Sequence, residues 1–247
     1  MTREKSAVVT GAAGGIGRAI SRRLAQAGWQ VVLADLSEER LEELRSELEA
    51  VGLSATIRRT NVAESADVEA LADLAASVAQ LGTWVNAAGA IHRAPLLELT
   101  DEDWDRMMTA NARSCFLGTR CAGQRMRPTG GSITNLASIS SVTSLPNTSH
   151  YGAAKGAVAS LTRHAALELG PLGIRVNAIA PGTILTPMTA DRLASLEQQQ
   201  QTLGKIPLGR IGEPKDIANI VTFIASEEAA YISGALIHVD GGWYASA

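Results

Sequence analysis

Cysteine and histidine are scarce in this chain of 247 residues, which contains two cysteines and four histidines. Cys115 and Cys121 lie six positions apart, a spacing that fits neither a redox Cys-x-x-Cys pair nor a metal site. We interpret both as small buried apolar side chains. Because the histidines also lack the spacing of metal ligands, we expect no metal site; they are His92, His150, His164 and His238.

Long apolar runs and an excess of one charge are also missing. No apolar run approaches the roughly 20 residues of a membrane helix, and residues 1–6 lead into a strand without the apolar core of a signal peptide. The formal charge of −3 and the scattered arginines provide no surface for nucleic acid. We therefore expect a cytoplasmic protein that binds neither membranes nor nucleic acid.

Strand-like and helix-like patterns alternate along the whole chain. Apolar residues make up 46% of it and charged residues 19%, which suits a globular protein with a large core. No linker rich in proline, glycine or serine divides the sequence. The alternation predicts one α/β domain spanning residues 1–247, with a doubly wound sheet of about seven parallel strands and helices on both faces.

A glycine-rich turn follows the first predicted strand. Its glycines are spaced Gly-x-x-x-Gly-x-Gly, at Gly11, Gly15 and Gly17, and do not match the strict Gly-x-Gly-x-x-Gly fingerprint. Missing Cβ atoms let the backbone approach a pyrophosphate, whose charge is met by N–H groups at the start of the next helix. The alternative is that these glycines only permit a tight turn.

Asp35 ends the second predicted strand, eighteen residues after Gly17. This is where a dinucleotide-binding unit places the carboxylate that binds the adenosine ribose hydroxyls. A 2′-phosphate would meet a like charge there, so the residue favours NAD over NADP. Alternatively, Asp35 caps the helix that begins near Ser37, with Glu38 completing a capping box.

Tyr151 and Lys155 are four residues apart on a predicted helix and therefore share one face. A nearby ammonium lowers the pKa of a phenol, and such a tyrosine can exchange a proton with an alcohol oxygen. The hydroxyl-rich stretch at residues 135–141 follows a strand-like run and can bring Ser138 beside the phenol. The alternative is a surface tyrosine and lysine that are neighbours by chance.

Five motifs follow one another over nearly the whole chain: Thr10-Gly11-Ala12-Ala13-Gly14-Gly15-Ile16-Gly17, Asn86-Ala87-Ala88-Gly89, Ser138, Tyr151-x-x-x-Lys155 and Pro181-Gly182. In order and spacing they resemble the motif set of the classical short-chain dehydrogenases/reductases. The resemblance implies a Rossmann-type fold, an NAD-dependent oxidoreductase that interconverts secondary alcohols and ketones, and a homotetramer.

The resemblance also implies a catalytic set. Tyr151 would be the acid or base, and Lys155 would lower its pKa and bind the nicotinamide ribose. Ser138 would hydrogen-bond the substrate oxygen, and Asn111 would hold a water that links the lysine to solvent. The alternatives are that Ser138 is only a turn residue and Asn111 a satisfied core side chain.

The cofactor residues implied by the resemblance follow the successive predicted strands. NAD is the expected cofactor and NADP the less favoured one, because NADP-preferring relatives tend to carry a basic residue where this chain has Gly14 or Leu36. Two positions depart from the family pattern: Asn61 replaces an aspartate, and Ala87 replaces an asparagine. The full set is Gly11, Gly14, Gly15, Ile16, Gly17, Asp35, Leu36, Asn61, Val62, Asn86, Ala88, Gly89, Tyr151, Lys155, Pro181, Gly182, Ile184 and Thr186.

The substrate is expected to be a small or medium secondary alcohol or its ketone. The regions expected to line the pocket, including a polar, helix-prone lid around residues 186–208, contain no charge cluster typical of a phosphate or carboxylate site. A sugar, polyol, cyclic alcohol or hydroxyacyl compound would fit this composition.

Two other functions remain open. A 3-ketoacyl-(acyl-carrier-protein) reductase could dock its acidic carrier on Arg120, Arg125 and Arg127, but such relatives usually use NADPH, against which Asp35 argues. A non-catalytic NAD-binding sensor or scaffold could keep the fold without turnover. Sensors of this kind commonly lose the tyrosine or the lysine, and both are present here.

Overall fold

A seven-stranded parallel sheet forms the centre of the protein. The structure, a computed structural model, describes residues 5–246. The strands lie in the order β3-β2-β1-β4-β5-β6-β7, as expected for a doubly wound Rossmann-type sheet. Their bounds are β1 Lys5–Thr10, β2 Gln30–Asp35, β3 Ala55–Arg59, β4 Gln80–Asn86, β5 Gly131–Leu136, β6 Ile174–Pro181 and β7 Leu236–Val239.

Helices cover both faces of this sheet. In chain order they are α1 Gly15–Gln26, α2 Glu38–Glu49, α3 Ser65–Val78, α4 Asp101–Met108, α5 Ser114–Met126, α6 Ser149–Leu169, α7 Leu196–Leu203 and α8 Pro214–Ala225. Buried side chains of α1, α2 and α8 form one core cluster with the sheet. Those of α3 and α5, with Ala165 of α6, form the opposite one. The predicted fold class is therefore confirmed.

Burial on both faces explains the continuous apolar runs of β1 and β2. Val8 and Val32 face the α3 and α5 side, whereas Val9 and Leu33 face the α1 and α8 side, and all four are fully buried. An antiparallel sheet with one wet face would alternate apolar and polar residues instead. Strand register is fixed here because each side chain meets a helix layer.

The helix expected between residues 101 and 127 is not continuous. It is divided into α4 and α5 by a π-helical turn at Thr109–Arg113, and this turn contains the buried Asn111. Such turns contain one extra residue and change the direction of the side chains that follow. The sequence did not predict this division, because the turn carries no glycine or proline.

Both cysteines are buried and unpaired, as expected. Burial raises the pKa of the Cys115 thiol to about 12, so this residue behaves as an apolar side chain. Within residues 5–246, no three or more His, Cys, Asp or Glu side chains are grouped to hold a metal. Over the same residues, no helix combines the length and apolar character needed to cross a membrane.

The order of the strands reverses between β1 and β4, because β2 and β3 lie on one side of β1 and β4 lies on the other. Hydrogen bonds join the ends of β1 and β4 at this point. The Thr10 hydroxyl accepts the N–H groups of Ala87 and Ala88 at 3.2 and 3.3 Å. Gly11 has a φ of +66°, and a Cβ on it would lie 2.7 Å from the Ala88 backbone. Parallel α/β sheets bind ligands in the crevice at such a reversal.

We expect Gly118→Ala to destabilise the fold by about 2–4 kcal/mol, through overpacking and a broken buried hydrogen bond. A Cβ at Gly118 in α5 would lie 2.0 Å from Asn86 Oδ1 and 2.9 Å from Trp84 Nε1. Gly170→Ala is the matched control, since no atom lies within 4 Å of its added Cβ. The measurement is the urea midpoint of unfolding of both variants, which should be lower for Gly118→Ala. Equal midpoints would contradict the close packing around Gly118.

Candidate active site

A cavity of about 710 Å³ opens at the carboxyl ends of the strands. Every site residue predicted from the sequence lines it, with the exception of Asn86. The predicted residues that line the cavity are Gly11, Gly14, Gly15, Ile16 and Gly17 near the end of β1, Asp35 and Leu36 near the end of β2, Asn61 and Val62 after β3, Ala88 and Gly89 after β4, the proposed catalytic residues Asn111, Ser138, Tyr151 and Lys155, and Pro181, Gly182, Ile184 and Thr186 near the end of β6.

Asn86 lies in the core below the cavity instead. Its Oδ1 accepts the Trp84 indole N–H at 2.8 Å, and its Nδ2 donates to Asn135 Oδ1 at 2.8 Å and to Thr119 Oγ1 at 3.2 Å. Asn135 Nδ2 donates in turn to Thr162 Oγ1 at 3.0 Å. This buried network joins β4, α5, β5 and α6, so the Asn86 side chain supports the site from below.

The glycine turn presents the N-terminus of α1 to the cavity. Gly14 is the N-cap and has no side chain to cap the helix, and the first turn contains no acidic residue. Its N–H groups are therefore suited to an anion such as a pyrophosphate. The turn is closely packed, because a Cβ on Gly17 would lie 2.0 Å from the Gly11 carbonyl oxygen and one on Gly15 would lie 2.9 Å from Thr186.

Asp35 is held beside this turn by two backbone groups. Its carboxylate accepts the Ala13 N–H at 3.1 Å and the Ser37 N–H at 3.2 Å. Ser37, not Asp35, is the N-cap of α2, since its hydroxyl accepts the Arg40 N–H at 3.4 Å. The structure therefore contradicts the alternative that Asp35 is the N-cap of α2.

Arg40 is a cavity residue that the sequence did not reveal. Its guanidinium donates to the Ala13 carbonyl at 2.8 Å and lines the cavity together with Asp35. The contact spans 27 residues, so no local spacing signals it. A cation therefore lies at the same end of the cavity as the Asp35 carboxylate.

Asn61 and Thr186 have their polar groups partly occupied. Asn61 Oδ1 accepts the Ala63 N–H at 3.1 Å, so this acceptor oxygen already has a partner within the protein. The Thr186 and Thr189 hydroxyl oxygens are 3.3 Å apart, and the Thr189 hydroxyl donates to the Ile184 carbonyl at 2.6 Å. These bonds fix the segment after β6 where it borders the cavity.

Lys155 is a buried residue in the wall of the cavity. Its Nζ donates to the Leu136 carbonyl at 2.7 Å and is 5.8 Å from the centre of the Tyr151 ring. Burial lowers the pKa of Lys155 to about 8. The ammonium therefore keeps its charge at neutral pH, although its surroundings disfavour that charge.

Burial raises the pKa of Tyr151, against the smaller opposing effects of the Ser138 hydroxyl and the positive charge of Arg93. The expected lowering of this pKa by Lys155 is not seen in the structure. Instead, the lysine is turned toward the Leu136 carbonyl. The phenol is therefore protonated at neutral pH.

Ser138 and Asn111 each keep one polar group available. Ser138 Oγ accepts the Ser140 N–H at 3.1 Å, which leaves its own proton free to be donated. Asn111 Nδ2 donates to the Ala90 and Met107 carbonyls, whereas its Oδ1 is buried without a partner among residues 5–246. That oxygen and Lys155 Nζ both lie next to Gly89, at 2.6 and 3.4 Å from the Cβ position of the glycine.

Several more residues line the cavity without having been named individually from the sequence. Four come from α4 and the π-helical turn, where the sequence shows no motif: Asp105, Arg106, Thr109 and Ala110. Three lie in the expected lid, Pro187, Met188 and Thr189, and Ala90 follows β4.

Comparison with known proteins identifies the family. A family model described as enoyl-(acyl carrier protein) reductase matches residues 11–244. The 3-oxoacyl-[acyl-carrier-protein] reductase FabG of Staphylococcus aureus is 38% identical over 247 residues, covering 99% of this chain and 100% of that protein. The chain belongs to the short-chain dehydrogenase/reductase family. It is an oxidoreductase that acts on CH–OH groups with a nicotinamide dinucleotide.

Two further members of this family differ from that reductase in function. The 2,5-dichloro-2,5-cyclohexadiene-1,4-diol dehydrogenase LinX of Sphingobium indicum is 38% identical over 241 residues, or 97% of this chain and 96% of that protein. A gluconate 5-dehydrogenase from Burkholderia cenocepacia, solved with NADP and tartrate, is 30% identical with a TM-score of 0.94, covering 98% of this chain and 96% of that one. Family membership therefore leaves the substrate open.

We expect Lys155→Met to be more stable than the wild type by about 1–3 kcal/mol at pH 7, because it removes a charge that is costly to bury. This difference in stability should shrink as the pH rises above about 8, because the folded wild type then loses the Lys155 proton and its buried charge. The unfolded chain keeps that proton up to the ordinary lysine pKa of 10.5, so the wild type becomes more stable between these two pH values.

Thermal unfolding at pH 7 and pH 9 tests this expectation, with Lys215→Met as the control because Lys215 is exposed. A Lys155→Met variant less stable than the wild type at pH 7 would mean that the bond to the Leu136 carbonyl outweighs the burial cost.

Proposed function

We propose that this family member interconverts a secondary alcohol and its ketone with Tyr151 as the acid or base. The observation that carries the proposal is the convergence of Tyr151, Ser138, Lys155 and Asn111 on one cavity. A sensor or scaffold would have no need for this set. The glycine turn and the free N-terminus of α1 fit the pyrophosphate of a nicotinamide dinucleotide.

The bound nicotinamide would supply or accept the hydride. In reduction, the Ser138 hydroxyl donates a hydrogen bond to the carbonyl oxygen, and the Tyr151 phenol gives that oxygen its proton. In oxidation, the phenolate takes the proton from the alcohol. Because burial raises the pKa of Tyr151, the phenol holds its proton at neutral pH and is ready to donate it in reduction. Oxidation needs the phenolate, so its rate should increase as the pH rises.

Lys155 and Asn111 would return the proton to solvent. Asn111 Oδ1 has no hydrogen-bond partner in the described part of the chain and lies near Lys155, as a water bridging the two groups requires. Lys155 would also donate to the nicotinamide ribose. The ammonium has three N–H donors, so it can keep its bond to the Leu136 carbonyl while it donates to the ribose and to the water.

We propose that the site accepts both NAD and NADP. Asp35 would bind the ribose hydroxyls of NAD, as expected from the sequence. Arg40, however, brings a guanidinium to the same end of the cavity and is suited to a 2′-phosphate. The gluconate 5-dehydrogenase relative was solved with NADP, which supports use of this cofactor here.

We expect Asp35→Ala to lower kcat/KM for NAD about 10-fold and to spare NADP, because a charge-assisted hydrogen bond is lost only with NAD. Arg40→Ala should do the reverse. Kinetics with both cofactors decide this, and Glu39→Ala serves as an exposed control on the same helix. A fall in melting temperature of Asp35→Ala, with both cofactors equally affected, would assign Asp35 a structural role.

For the substrate, we propose a sugar, polyol or cyclic alcohol rather than an acyl group on a carrier protein. The gluconate and cyclohexadienediol relatives support small hydroxylated substrates. The carrier alternative is supported by the FabG relative. Against it, Arg120 and Arg125 are paired with the α3 residues Glu69 and Asp73, so only Arg127 of the proposed docking arginines is left without an ion pair within residues 5–246.

We also propose that residues 186–208 cover the bound substrate and that the chain forms a homotetramer. Pro187, Met188 and Thr189 border the cavity, and Met188 is more than half exposed. Apolar side chains exposed on α4, α5 and α6 support association through these helices: Trp104, Phe116 and Leu167.

We expect Tyr151→Phe to lower kcat at least about 1,000-fold, because proton transfer is lost with the hydroxyl while the ring still packs. The assay follows NADH or NADPH formation on a panel of polyols, sugars, cyclic alcohols and hydroxyacyl thioesters. Cofactor affinity, measured by fluorescence, should stay within about 2-fold, since Lys155 and the other cofactor residues are unchanged.

Tyr231→Phe provides the control, because Tyr231 is fully exposed. Joint loss of activity and cofactor binding in Tyr151→Phe would reveal a structural tyrosine. Turnover of the thioesters alone would favour the carrier-protein reductase, and a wild type that binds cofactor but turns over nothing would favour the sensor.

A further inference from the structure

A short segment that follows β7, residues 240–246, is fixed to the end of that strand; we call it the β7 turn. The two carboxylate oxygens of Asp240 accept the N–H groups of Gly242 and Tyr244 at 2.9 and 2.8 Å. The Tyr244 ring stacks on His238 of β7, with 4.3 Å between the ring centroids. The sheet therefore determines where the β7 turn lies.

The β7 turn is packed closely against the end of the expected lid. Gly241 has a φ of +69°, and a Cβ on it would lie 2.5 Å from Ile206 Cγ2. The Leu208 N–H donates to the Gly241 carbonyl at 3.0 Å. The Ser246 hydroxyl donates to the Lys205 carbonyl at 3.3 Å. The end of the lid therefore cannot move away from the β7 turn without breaking these hydrogen bonds.

A buried apolar cluster joins the β7 turn to the segment that contains Ser138. Its members are Trp243 of the turn, Ile206 of the lid and Ile139, which directly follows Ser138. None of the three is more than 5% exposed. Because protein interiors are close-packed, each member of such a cluster limits the positions open to the others. The position of Ile139, and hence of Ser138, therefore depends on Trp243.

The segment that leads to Tyr151 meets the same cluster. Leu145 packs against it, and the Leu145 carbonyl accepts the Thr148 hydroxyl at 2.8 Å. Thr148 precedes α6, and its carbonyl accepts the Gly152 N–H at 2.8 Å in the first turn of that helix. Tyr151 lies in this first turn. One cluster thus contacts the chain next to Ser138 and the chain shortly before Tyr151.

We infer that Trp243 is a positioning residue for the reaction, which holds Ser138 where it meets the substrate oxygen and holds the end of the lid beside it. This inference rests on the proposed alcohol–ketone chemistry of the same site. The described residues that line the cavity do not include Trp243, so it acts through Ile139 and Ile206. A displacement of about 1 Å at a reacting group can lower a rate about 100-fold.

The test compares Trp243→Ala with the conservative Trp243→Phe. We expect Trp243→Ala to lower kcat about 10- to 100-fold, because Ser138 is no longer held in position, and to raise KM for the alcohol, because the lid is less firmly held. Trp243→Phe should recover most of both changes, since an aromatic ring still fills much of the cluster. The assay uses the polyol, sugar or cyclic alcohol that the wild type oxidises fastest, at saturating NAD.

Trp29→Ala is the matched control. Trp29 also packs against the core, but it lies just before β2, at the end of the strands opposite to the cavity. This variant should lower the melting temperature and leave kcat and KM at their wild-type values. Cofactor affinity of both Trp243 variants should stay within about 2-fold of the wild type, which shows that they are folded.

A pH profile separates a displaced Ser138 from a general loss of stability. Against the larger effect of burial, the Ser138 hydroxyl lowers the pKa of Tyr151. In Trp243→Ala this pKa should rise, so the profile of kcat/KM for oxidation should move to higher pH, whereas Trp29→Ala should not move it. If Trp243→Ala does not fold, Ile206→Ala removes another member of the cluster and should change kcat and KM in the same way.

Two outcomes would overturn the inference while leaving the proposed function in place. One is a folded Trp243→Ala or Ile206→Ala variant with wild-type kcat and an unchanged pH profile. The other is a Trp29→Ala variant that loses as much kcat as Trp243→Ala. If the wild type oxidises no alcohol at all, the proposed function itself fails, and the inference fails with it.

Discussion

The close contact between the ends of β1 and β4 is the constraint on which the remaining site depends. Gly11 lies so near the Ala88 backbone that no side chain fits between them, and the Thr10 hydroxyl joins the two strands at the same level. Because the sheet order reverses there, this contact forms the floor of the cavity. The N-terminus of α1 is directed at the cavity by the turn that begins at Gly11.

A second constraint is electrostatic. The start of α6 places both Tyr151 and Lys155 at the cavity, where burial disfavours the lysine charge. The polar network around Asn86 and Asn135 fixes β4, β5 and α6 below this pair. Functional sites commonly keep such unfavourable groups, since stability elsewhere in the fold offsets them. The network of buried polar residues below the cavity thus supports Tyr151 and Lys155, which the fold alone does not require.

The sheet could be predicted from the sequence because β1 and β2 are apolar runs and because strand-like and helix-like patterns alternate along the chain. The cavity lining could be predicted largely because those motifs follow the strand ends. Contacts between distant segments could not be predicted in this way, since Arg40 meets Ala13 across 27 residues. Asn86 was misplaced because the motif fixes its position in the chain but not the direction of its side chain.

The π-helical turn at Thr109–Arg113 has a consequence for comparing this chain with its relatives. One extra residue advances a helix by about 100°, so the faces that α4 and α5 present to their neighbours do not follow one continuous stripe. The length of this turn therefore sets which side chain enters the cavity, independently of which residues flank it. A homologue one residue shorter here would turn a different group toward Lys155 even if every recognisable motif were identical.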